Sequence, residues 1–371
     1  MSAPQGCQGE HGTIPTHPSR TELTGRQVSF LLALVRETRL RLRQVTRENV
    51  FSFLDDERRP LQENYLAMYS TQWRGYTFDP ALMTVPLDDH LVHRGDGVFD
   101  TFRCVRGRIY QLEQHLGRLQ KSAEAISLPL PEEYAGVREI VEELVVRGGE
   151  KDCVIRITLS RGPGSFSTNP FDCPATQMYV IVIRYKAVPD SYVREGTRIL
   201  TSRVPTKRSF FARIKSCNYL PNVLMKMEAV HGGCSYAVAL DEEGFLAEGS
   251  TENVGLVSEE GILEFPGFER TLAGTTVTRV FDLAQALVKA GRIAGVRFNR
   301  ILPEEAHRAR EVMLLGTSIN VLPVVQFDQR PVGDGRPGPI SSELSELLWK
   351  DMTENGRSEE RRVGKECVSE C

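Results

Sequence analysis

The amino-acid sequence predicts a protein of the α+β or α/β class, because strand and helix patterns are interspersed over most of its 371 residues. Residues 97–103 and 153–160 sort their side chains into two alternating sets, as expected of strands with two different faces. Residues 112–126 and 277–288 instead repeat apolar side chains at intervals of three and four, which indicates amphipathic helices. Since 40% of the residues are apolar and 26% are charged, the composition is that of a globular protein.

Charge and hydropathy argue against several classes of partner. A formal net charge of −3 does not favour a large surface for nucleic acid. The nearest candidate for a membrane segment, residues 28–35, is shorter than the roughly 18 apolar residues needed to cross a bilayer, and it makes a poor signal peptide. Eight cysteines are scattered without CxxC or Cys/His spacing. We therefore expect reduced thiols in a cytoplasmic protein, and no metal site.

Residues 1–64 are predicted to form an extension to the main body. Residues 1–20 are rich in Gly, Pro, Ser and Thr and lack any apolar period, so we expect disorder there. Residues 23–45 carry apolar side chains at helical spacing among several arginines, which predicts one amphipathic helix packed on the main body. The pattern assigns no function to this extension.

Residues 65–190 are predicted to form a smaller α/β domain, with a link to the next domain near residues 189–196. The alternation in residues 153–160 directs Arg156 away from the apolar side, towards solvent or a cleft. The loop 161–174 is dense in Gly, Pro, Ser and Asn, which favours a functional or mobile segment. The expected strands are 65–69, 97–103, 109–112, 153–160 and 177–185, with an extended piece at 77–86, and the expected helices are 112–126 and 131–146.

Residues 191–352 are predicted to form a larger second domain. Its best-marked helix follows Gly274 and ends before Gly291, which stands where a C-terminal cap is expected. Residues 353–371 are highly charged, so we expect a disordered tail. The expected strands are 197–204, 235–240, 244–248, 253–257, 262–265 and 311–315, and the other expected helices are 221–231 and 341–352.

Lys215 stands in the most informative motif of the chain, IKSCNYLPN at residues 214–222. Five further motifs accompany it: HRGDGVFDTFR (93–103), QLEQHLGRL (111–119), LDEEGFLAEGSTEN (240–253), LAGTTVTRV (272–280) and LLGTSINVLPVV (314–325). In this order the motifs resemble the class IV aminotransferases, which include branched-chain and D-amino-acid transaminases and aminodeoxychorismate lyase. The resemblance implies the fold of type IV pyridoxal 5'-phosphate (PLP) enzymes, with a smaller N-terminal α/β domain and a larger, barrel-like C-terminal α/β domain. It also implies a homodimer.

The same resemblance implies roles around the cofactor ring. Lys215 would hold PLP as a Schiff base and shuttle a proton between substrate and cofactor, which a desolvated site would make easier. Glu248 would keep the pyridine nitrogen protonated, Tyr219 would hydrogen bond the phenolic oxygen, and Asn253 would brace this layer. From the residues alone, Glu248 reads as a strand-end glutamate in solvent and Tyr219 as a half-buried core tyrosine.

The phosphate of PLP needs backbone amides, hydroxyls and a cation. Gly274, Thr275 and Thr276 precede a well-marked helix, so their amides would face an anion with the helix dipole behind them. The resemblance adds three further phosphate ligands: Arg118, Thr317 and Ser318. For Arg118, the residues alone also allow a surface ion pair with Glu113 or Glu124.

The candidates for the substrate wall are Phe99, Arg103 and Arg156. Arg156 and Tyr219 resemble the branched-chain transaminases, in which an arginine at this position receives acidic side chains. Residues 95–97 and the direct KSxN spacing resemble the D-amino-acid and lyase branches instead, and SRGPGS at 160–165 looks lyase-like. However, the loop after Arg161 lacks the arginine and histidine, two residues apart, that hold the α-carboxylate in D-amino-acid transaminases.

We therefore expect a transaminase that moves an amino group from an amino acid, branched-chain-like in preference, to a 2-oxo acid such as 2-oxoglutarate. The alternatives are a D-amino-acid transaminase and an aminodeoxychorismate lyase that releases pyruvate and 4-aminobenzoate. The sequence leaves open the donor, its stereochemistry and the choice between transaminase and lyase.

Overall fold

The computed structural model describes residues 42–56 and 59–354, which belong to two compact units that divide after residue 57. In the first unit the described residues contain one helix, α1 (Val50–Asp56). The helix predicted over residues 23–45 lies outside the described residues except for 42–45, where the prediction is wrong because these residues are not helical. Just after them the Asn49 side chain bonds to neighbouring backbone groups, which favours a turn over a continuing helix.

The other terminal predictions fall almost entirely outside the described residues. Residues 1–20 and 355–371, both predicted to be disordered, are not described. The predicted tail was to begin at residue 353, but the last helix includes Thr353.

The second unit contains two sheets, and the first is a six-stranded antiparallel sheet in the order β2-β1-β6-β5-β3-β4. Its apolar face buries Val98, Phe102 and Ile155 against two helices, α3 and α4. The strands are β1 (Tyr65–Ser70), β2 (Gly75–Thr77), β3 (Gly97–Val105), β4 (Arg108–Ile109), β5 (Cys153–Ser160) and β6 (Gln177–Arg184). The helices are α2 (His90–Arg94), α3 (Leu112–Ala125) and α4 (Val137–Gly148).

The opposite face of this sheet carries the candidate substrate residues. Phe99 and Arg103 lie on this face because side chains alternate along β3 and Val98 and Phe102 point into the core. Thr101 of β3 pairs directly with Arg156 of β5, and directly opposed residues share a face. The prediction that Arg156 points away from the apolar side is therefore confirmed.

Two predictions for the first sheet were wrong in detail. The extended piece expected at 77–86 ends as a strand at Thr77, because Asp79 caps a short 3₁₀ turn at Pro80–Leu82. The helix expected at 131–146 begins as a 3₁₀ turn at Glu132–Gly136 and continues as α4.

The second sheet has nine strands, and six of them close into a barrel in the cyclic order β10-β13-β14-β7-β8-β9. Closure occurs where Glu248 of β9 pairs with Asn253 of β10. The antiparallel first sheet, the mixed second sheet with its barrel and the packed helices give the predicted α+β architecture. The strands are β7 (Thr197–Thr201), β8 (Tyr236–Leu240), β9 (Leu246–Gly249), β10 (Asn253–Val257), β11 (Ile262–Pro266), β12 (Gly295–Asn299), β13 (Glu311–Gly316), β14 (Asn320–Phe327) and β15 (Arg330–Pro331).

Helices cover the barrel, and the helix that follows Gly274 packs on a core with Val277, Val280 and Leu287. Residues 189–196, predicted to be a link, contain a short helix. Among the described helices, none is long and apolar enough to span a bilayer. The helices of this part are α5 (Asp190–Arg194), α6 (Ser209–Ala212), α7 (Leu220–His231), α8 (Thr275–Lys289), α9 (Pro303–Arg308) and α10 (Pro339–Thr353).

Candidate active site

Lys215 is held at the free edge of β3. The amide of Phe99 donates to the Lys215 carbonyl and the amide of Cys217 donates to the Gly97 carbonyl, each at 2.9 Å. Since Ser216 pairs with Val98, the Lys215 side chain points to the face that carries Phe99. Its ammonium lies 4.7 Å from the centre of the Phe99 ring. Lys215 is therefore a positioned lysine and not a solvated one.

The surroundings of Lys215 favour its neutral amine. Burial, followed by the nearby charge of Arg118, lowers the pKa of Lys215 to about 8. The Tyr219 hydroxyl lies 3.4 Å from its Nζ atom. A lysine with this pKa supplies an unprotonated amine near neutral pH far more readily than an exposed lysine does.

Glu248 and Asn253 lie side by side where the barrel closes. Glu248 accepts a hydrogen bond from the amide of Leu272 at 3.0 Å, and the Asn253 side chain donates to the Leu272 carbonyl at 3.2 Å. Burial raises the pKa of Glu248 to about 7, although the Leu272 amide and the charge of Lys215 oppose the rise. The two side chains fix the segment that leads into α8. A Cβ atom at Gly274 would come within 1.9 Å of the Asn253 side chain, so this approach requires glycine.

The amino end of α8 is a cluster of polar donors. Thr275 and Thr276 are buried there, and within residues 42–56 and 59–354 no side chain caps the first turn of the helix. Arg118 reaches the same place and donates to the carbonyl of Ala273 at 3.0 Å. Free amides, hydroxyls and a guanidinium together suit an anionic group such as phosphate.

Asp100 organises this cluster, and the sequence analysis did not single it out. Its carboxylate accepts two hydrogen bonds from Arg118, both at 2.8 Å, and one from Nδ1 of His115 at 2.7 Å. Burial alone would raise the pKa of Asp100, but Arg118 and His115 hold it well below its usual range. The signal was present in the sequence, since the β3 alternation places Asp100 between Val98 and Phe102 on the core face, where a carboxylate needs cationic partners.

His115 extends the Asp100 cluster to α8. Burial lowers the pKa of His115, so the ring is neutral at physiological pH. Because its Nδ1 donates to Asp100, its Nε2 is left to accept from the Thr275 hydroxyl, 3.4 Å away. The alternative partners considered for Arg118 were wrong: Glu113 pairs with Arg138, and Glu124 accepts from Gln120.

Thr317 and Ser318 lie in the turn between β13 and β14, at the rim of the barrel. The turn is on the same side as Asn253, because Leu315 at the end of β13 pairs with that residue. Thr317 is half-buried and Ser318 is exposed.

The candidate substrate wall divides into two places. The guanidinium of Arg156 stacks 3.7 Å from the centre of the Phe99 ring, and the Tyr219 ring meets Phe99 edge-on at 5.0 Å. Among the described residues, no carboxylate forms an ion pair with Arg156. Arg103 lies four residues along β3 from Phe99 and stacks on Tyr185 instead.

Lys207 is a further neighbour of the site. Its ammonium lies 4.8 Å from the centre of the Tyr219 ring, and its charge acts on Glu248. Burial lowers the pKa of Lys207 below its ordinary value. No motif or period surrounds this residue in the sequence, so sequence reasoning had no signal for it.

The loop at 161–174 is tied to the body of the small sheet. Arg161 makes an ion pair with Asp96 at 3.1 Å and donates to two backbone carbonyls of the segment after α3. His90 contacts the carbonyl of Ser165 at 3.1 Å. Since Asp96 compensates the charge of Arg161, this arginine does not offer a free cation to a substrate.

The donor set as a whole fits PLP. Lys215 offers an amine, Glu248 a carboxylate, and Tyr219 a phenol close to that amine. The amino end of α8, with Arg118 beside it, offers amides, hydroxyls and a cation. These are the groups that a cofactor with an aldehyde, a basic ring nitrogen and a phosphate requires.

Comparison with known proteins agrees with this interpretation. Residues 97–327 match the family model of amino-transferase class IV. The chain is 40% identical to a D-amino-acid transaminase, chloroplastic, of Arabidopsis thaliana, over 78% of this chain and 77% of that one. It is 27% identical to a branched-chain-amino-acid aminotransferase of Pseudomonas aeruginosa, over 70% and 85% of the two chains.

A solved structure extends the likeness to the fold. The T.th. branched-chain amino acid aminotransferase, complexed with N-(5'-phosphopyridoxyl)-L-glutamate, superposes with a TM-score of 0.73 at 28% identity. The superposition covers 80% of this chain and 98% of that one. The chain therefore belongs to the class IV aminotransferases, a family of PLP-dependent enzymes.

Proposed function

We propose that this enzyme transfers an amino group from an amino acid to a 2-oxo acid such as 2-oxoglutarate, and that Lys215 carries the cofactor. The observation that supports this most is that a desolvated amine, Lys215, and a desolvated carboxylate, Glu248, act on each other's charge beside an anion site. When bound, PLP would supply the carbonyl carbon and an electron-withdrawing ring. The expected reaction is a transamination in two halves.

Each of the protein's own groups would have a separate role in this reaction. Nζ of Lys215, once displaced by the amine of the substrate, would take the proton from the α carbon and return it on the cofactor side. The Tyr219 hydroxyl, 3.4 Å from this nitrogen, would orient it. Glu248 would hold a proton on the ring nitrogen. Arg118, Thr275, Thr276, Thr317 and Ser318 would hold the phosphate, and Asn253 would brace the wall behind it.

Arg156 would receive the second carboxylate of an acidic substrate. It lies on the same face as Lys215, and burial lowers its pKa below the ordinary value, so its charge is poorly solvated. A carboxylate that enters this site would regain the lost solvation as charge-assisted hydrogen bonds. Phe99, stacked on the guanidinium, would form the apolar part of the same wall.

The Arg156→Met variant tests this assignment. We expect the KM for 2-oxoglutarate to rise by roughly 10- to 100-fold, the loss of one charged hydrogen-bonded contact. The KM for a branched monocarboxylic 2-oxo acid should change by about twofold at most, because that substrate has no second carboxylate. Arg184→Met, which removes an exposed arginine of β6, is the matched control. Equal changes in KM for both oxo acids would show that Arg156 does not bind the second carboxylate of the substrate.

Two classes of amino donor have separate support. Tyr219 and Arg156 favour branched-chain L-amino acids, as the sequence analysis proposed. The 40% identity to a relative named as a D-amino-acid transaminase favours D-amino acids. Oxo-acid formation from matched L and D enantiomers of leucine, alanine and glutamate, with 2-oxoglutarate as acceptor, decides between them. Release of pyruvate from aminodeoxychorismate without an acceptor would instead show the lyase.

We also propose a homodimer. Helix α7 exposes an apolar stripe at helical spacing: Leu220, Val223, Leu224, Met227 and Val230. A stripe of this kind is normally covered by a partner. Val223→Glu, which places a charge in the stripe, should therefore shift the protein from dimer to monomer in sedimentation. A wild-type protein that sediments as a monomer while it turns over substrate would contradict the proposal.

We propose a cytoplasmic location because the described cysteines form no disulfides. All five described cysteines have free thiols, as expected in a reducing compartment. The name of the Arabidopsis thaliana relative places that protein in the chloroplast. Recovery of this enzyme in an organelle fraction would overturn the proposed location.

A further inference from the structure

Arg103 is a buried arginine that the proposed chemistry leaves without a function. It is 3% exposed, and burial lowers its pKa below the ordinary value. In the part of the chain that the structure describes, no carboxylate forms an ion pair with it, and its Nε atom has no hydrogen-bond partner. A buried guanidinium without an acid partner is costly, so the contacts that it does make are informative.

Those contacts lead to the barrel. The Arg103 guanidinium stacks 3.6 Å from the centre of the Tyr185 ring, and its Nη1 donates to the side-chain oxygen of Asn320 at 3.2 Å. The Tyr185 hydroxyl donates to the carbonyl of Ser318 at 3.1 Å. Arg103 and Tyr185 thus form one stacked pair that holds the turn at residues 316–320 at two points.

The 316–320 turn closes the β13–β14 hairpin through the pairing of Gly316 with Asn320 and a hydrogen bond from the Ile319 amide to the Gly316 carbonyl at 3.2 Å. Asn320 has a φ of 58°, in the left-handed region that asparagine tolerates but few other side chains adopt. Ser318, at the tip, is exposed. The hydrogen bond from Arg103 therefore holds a residue whose left-handed backbone contributes to the shape of the turn.

The turn also carries two of the hydroxyls proposed for the phosphate. Tyr185 holds Ser318 itself through its carbonyl, and Thr317 is the residue before it in the chain. β13, the strand that leads into the turn, pairs with Asn253, which lies next to Glu248. This pairing fixes one side of the turn relative to the residues proposed to hold the cofactor ring. On its other side the turn contacts the stacked pair, through the Ser318 carbonyl and the Asn320 side chain.

We propose that Arg103 and Tyr185 are positioning residues, which act on the phosphate of PLP through the 316–320 turn and do not touch the substrate. This assignment replaces the place of Arg103 in the substrate wall, and it rests on the proposed phosphate role of Thr317 and Ser318. Arg103 belongs to β3 and Tyr185 follows β6, both in the first sheet, whereas the turn belongs to the barrel. Phosphate binding would therefore also depend on how the first sheet is positioned against the barrel.

Comparison of PLP with pyridoxal, which lacks the phosphate, tests the proposal in the cofactor-stripped protein. For Arg103→Met we expect the Kd for PLP to rise by about tenfold, the usual cost of a lost buried hydrogen bond, while the Kd for pyridoxal stays within about twofold. Tyr185→Phe keeps the stack and removes only the hydroxyl, so it should raise the Kd for PLP by about threefold and leave the Kd for pyridoxal unchanged.

Two variants of Asn320 keep the test valid if Arg103→Met does not fold. Asn320→Gly allows the left-handed backbone and removes the acceptor, so it should reproduce the selective loss of PLP affinity. Asn320→Asp keeps an acceptor oxygen for Arg103 and should bind PLP within about twofold of wild type.

The outcomes separate this proposal from the proposed function. Equal weakening of PLP and pyridoxal, or unchanged PLP affinity in Asn320→Gly and Tyr185→Phe, would overturn the positioning role while wild-type binding stands. A wild-type protein that attaches neither ligand through Lys215 would overturn the proposed function, and this proposal with it.

Discussion

Lys215→Ala is expected to abolish covalent attachment of PLP and to lower kcat/KM for transamination by roughly 10⁴-fold or more, since one group serves as both nucleophile and proton carrier. Borohydride reduction followed by peptide mapping measures the attachment. Lys207→Ala is the matched control, because its ammonium also lies against Tyr219, yet we expect it to keep the attachment. Attachment that survives in Lys215→Ala and disappears in Lys207→Ala would show that Lys207 carries the cofactor instead.

The same attachment should depend on pH in a defined direction. Only the neutral amine reacts with a carbonyl, and the pKa of Lys215 is lowered to about 8. The rate at which the cofactor-stripped protein takes up pyridoxal should therefore rise as the pH passes through about 8 and level off above it. An ordinary exposed lysine would still be gaining reactivity near pH ~10.

Glu248→Gln is expected to lower kcat by roughly 10²- to 10³-fold while the cofactor stays attached, because a neutral amide cannot stabilise a protonated ring nitrogen as a carboxylate does. Rapid-mixing measurement of the first half-reaction isolates this step from substrate binding. Glu264→Gln is the matched control, since Glu264 is a buried carboxylate of β11 that pairs with Arg297. Unchanged kcat in Glu248→Gln would show that the carboxylate is structural.

The elements that the sequence predicted well are those with a regular period. Alternation along β5 was enough to place Arg156 on the face away from the core, and alternation along β3 separated Phe99 and Arg103 from Phe102. The apolar stripe after Gly274 likewise predicted α8, whose amino end carries Thr275 and Thr276. These patterns depend on neighbouring residues only, so they can be read without the fold.

The contacts that complete the site could not be read in this way. Barrel closure at Glu248 and Asn253 depends on which strands pair in the fold. The sequence around these two residues contains no local pattern that indicates this pairing. Arg103 and Asn320 are 217 positions apart in sequence, and their contact joins two different sheets. Asp100 is intermediate, because its place on the core face was predictable but its partners on α3 were not.

The absorbance of the PLP-loaded enzyme, followed through one half-reaction, tests the central claim most directly. A single amino acid is added without any 2-oxo acid, and the lysine-linked band and the released oxo acid are measured together. We predict that the band disappears with one equivalent of oxo acid formed per site, and that 2-oxoglutarate restores it. A band that no L- or D-amino acid alters, or that changes without release of an oxo acid, would contradict transamination through Lys215.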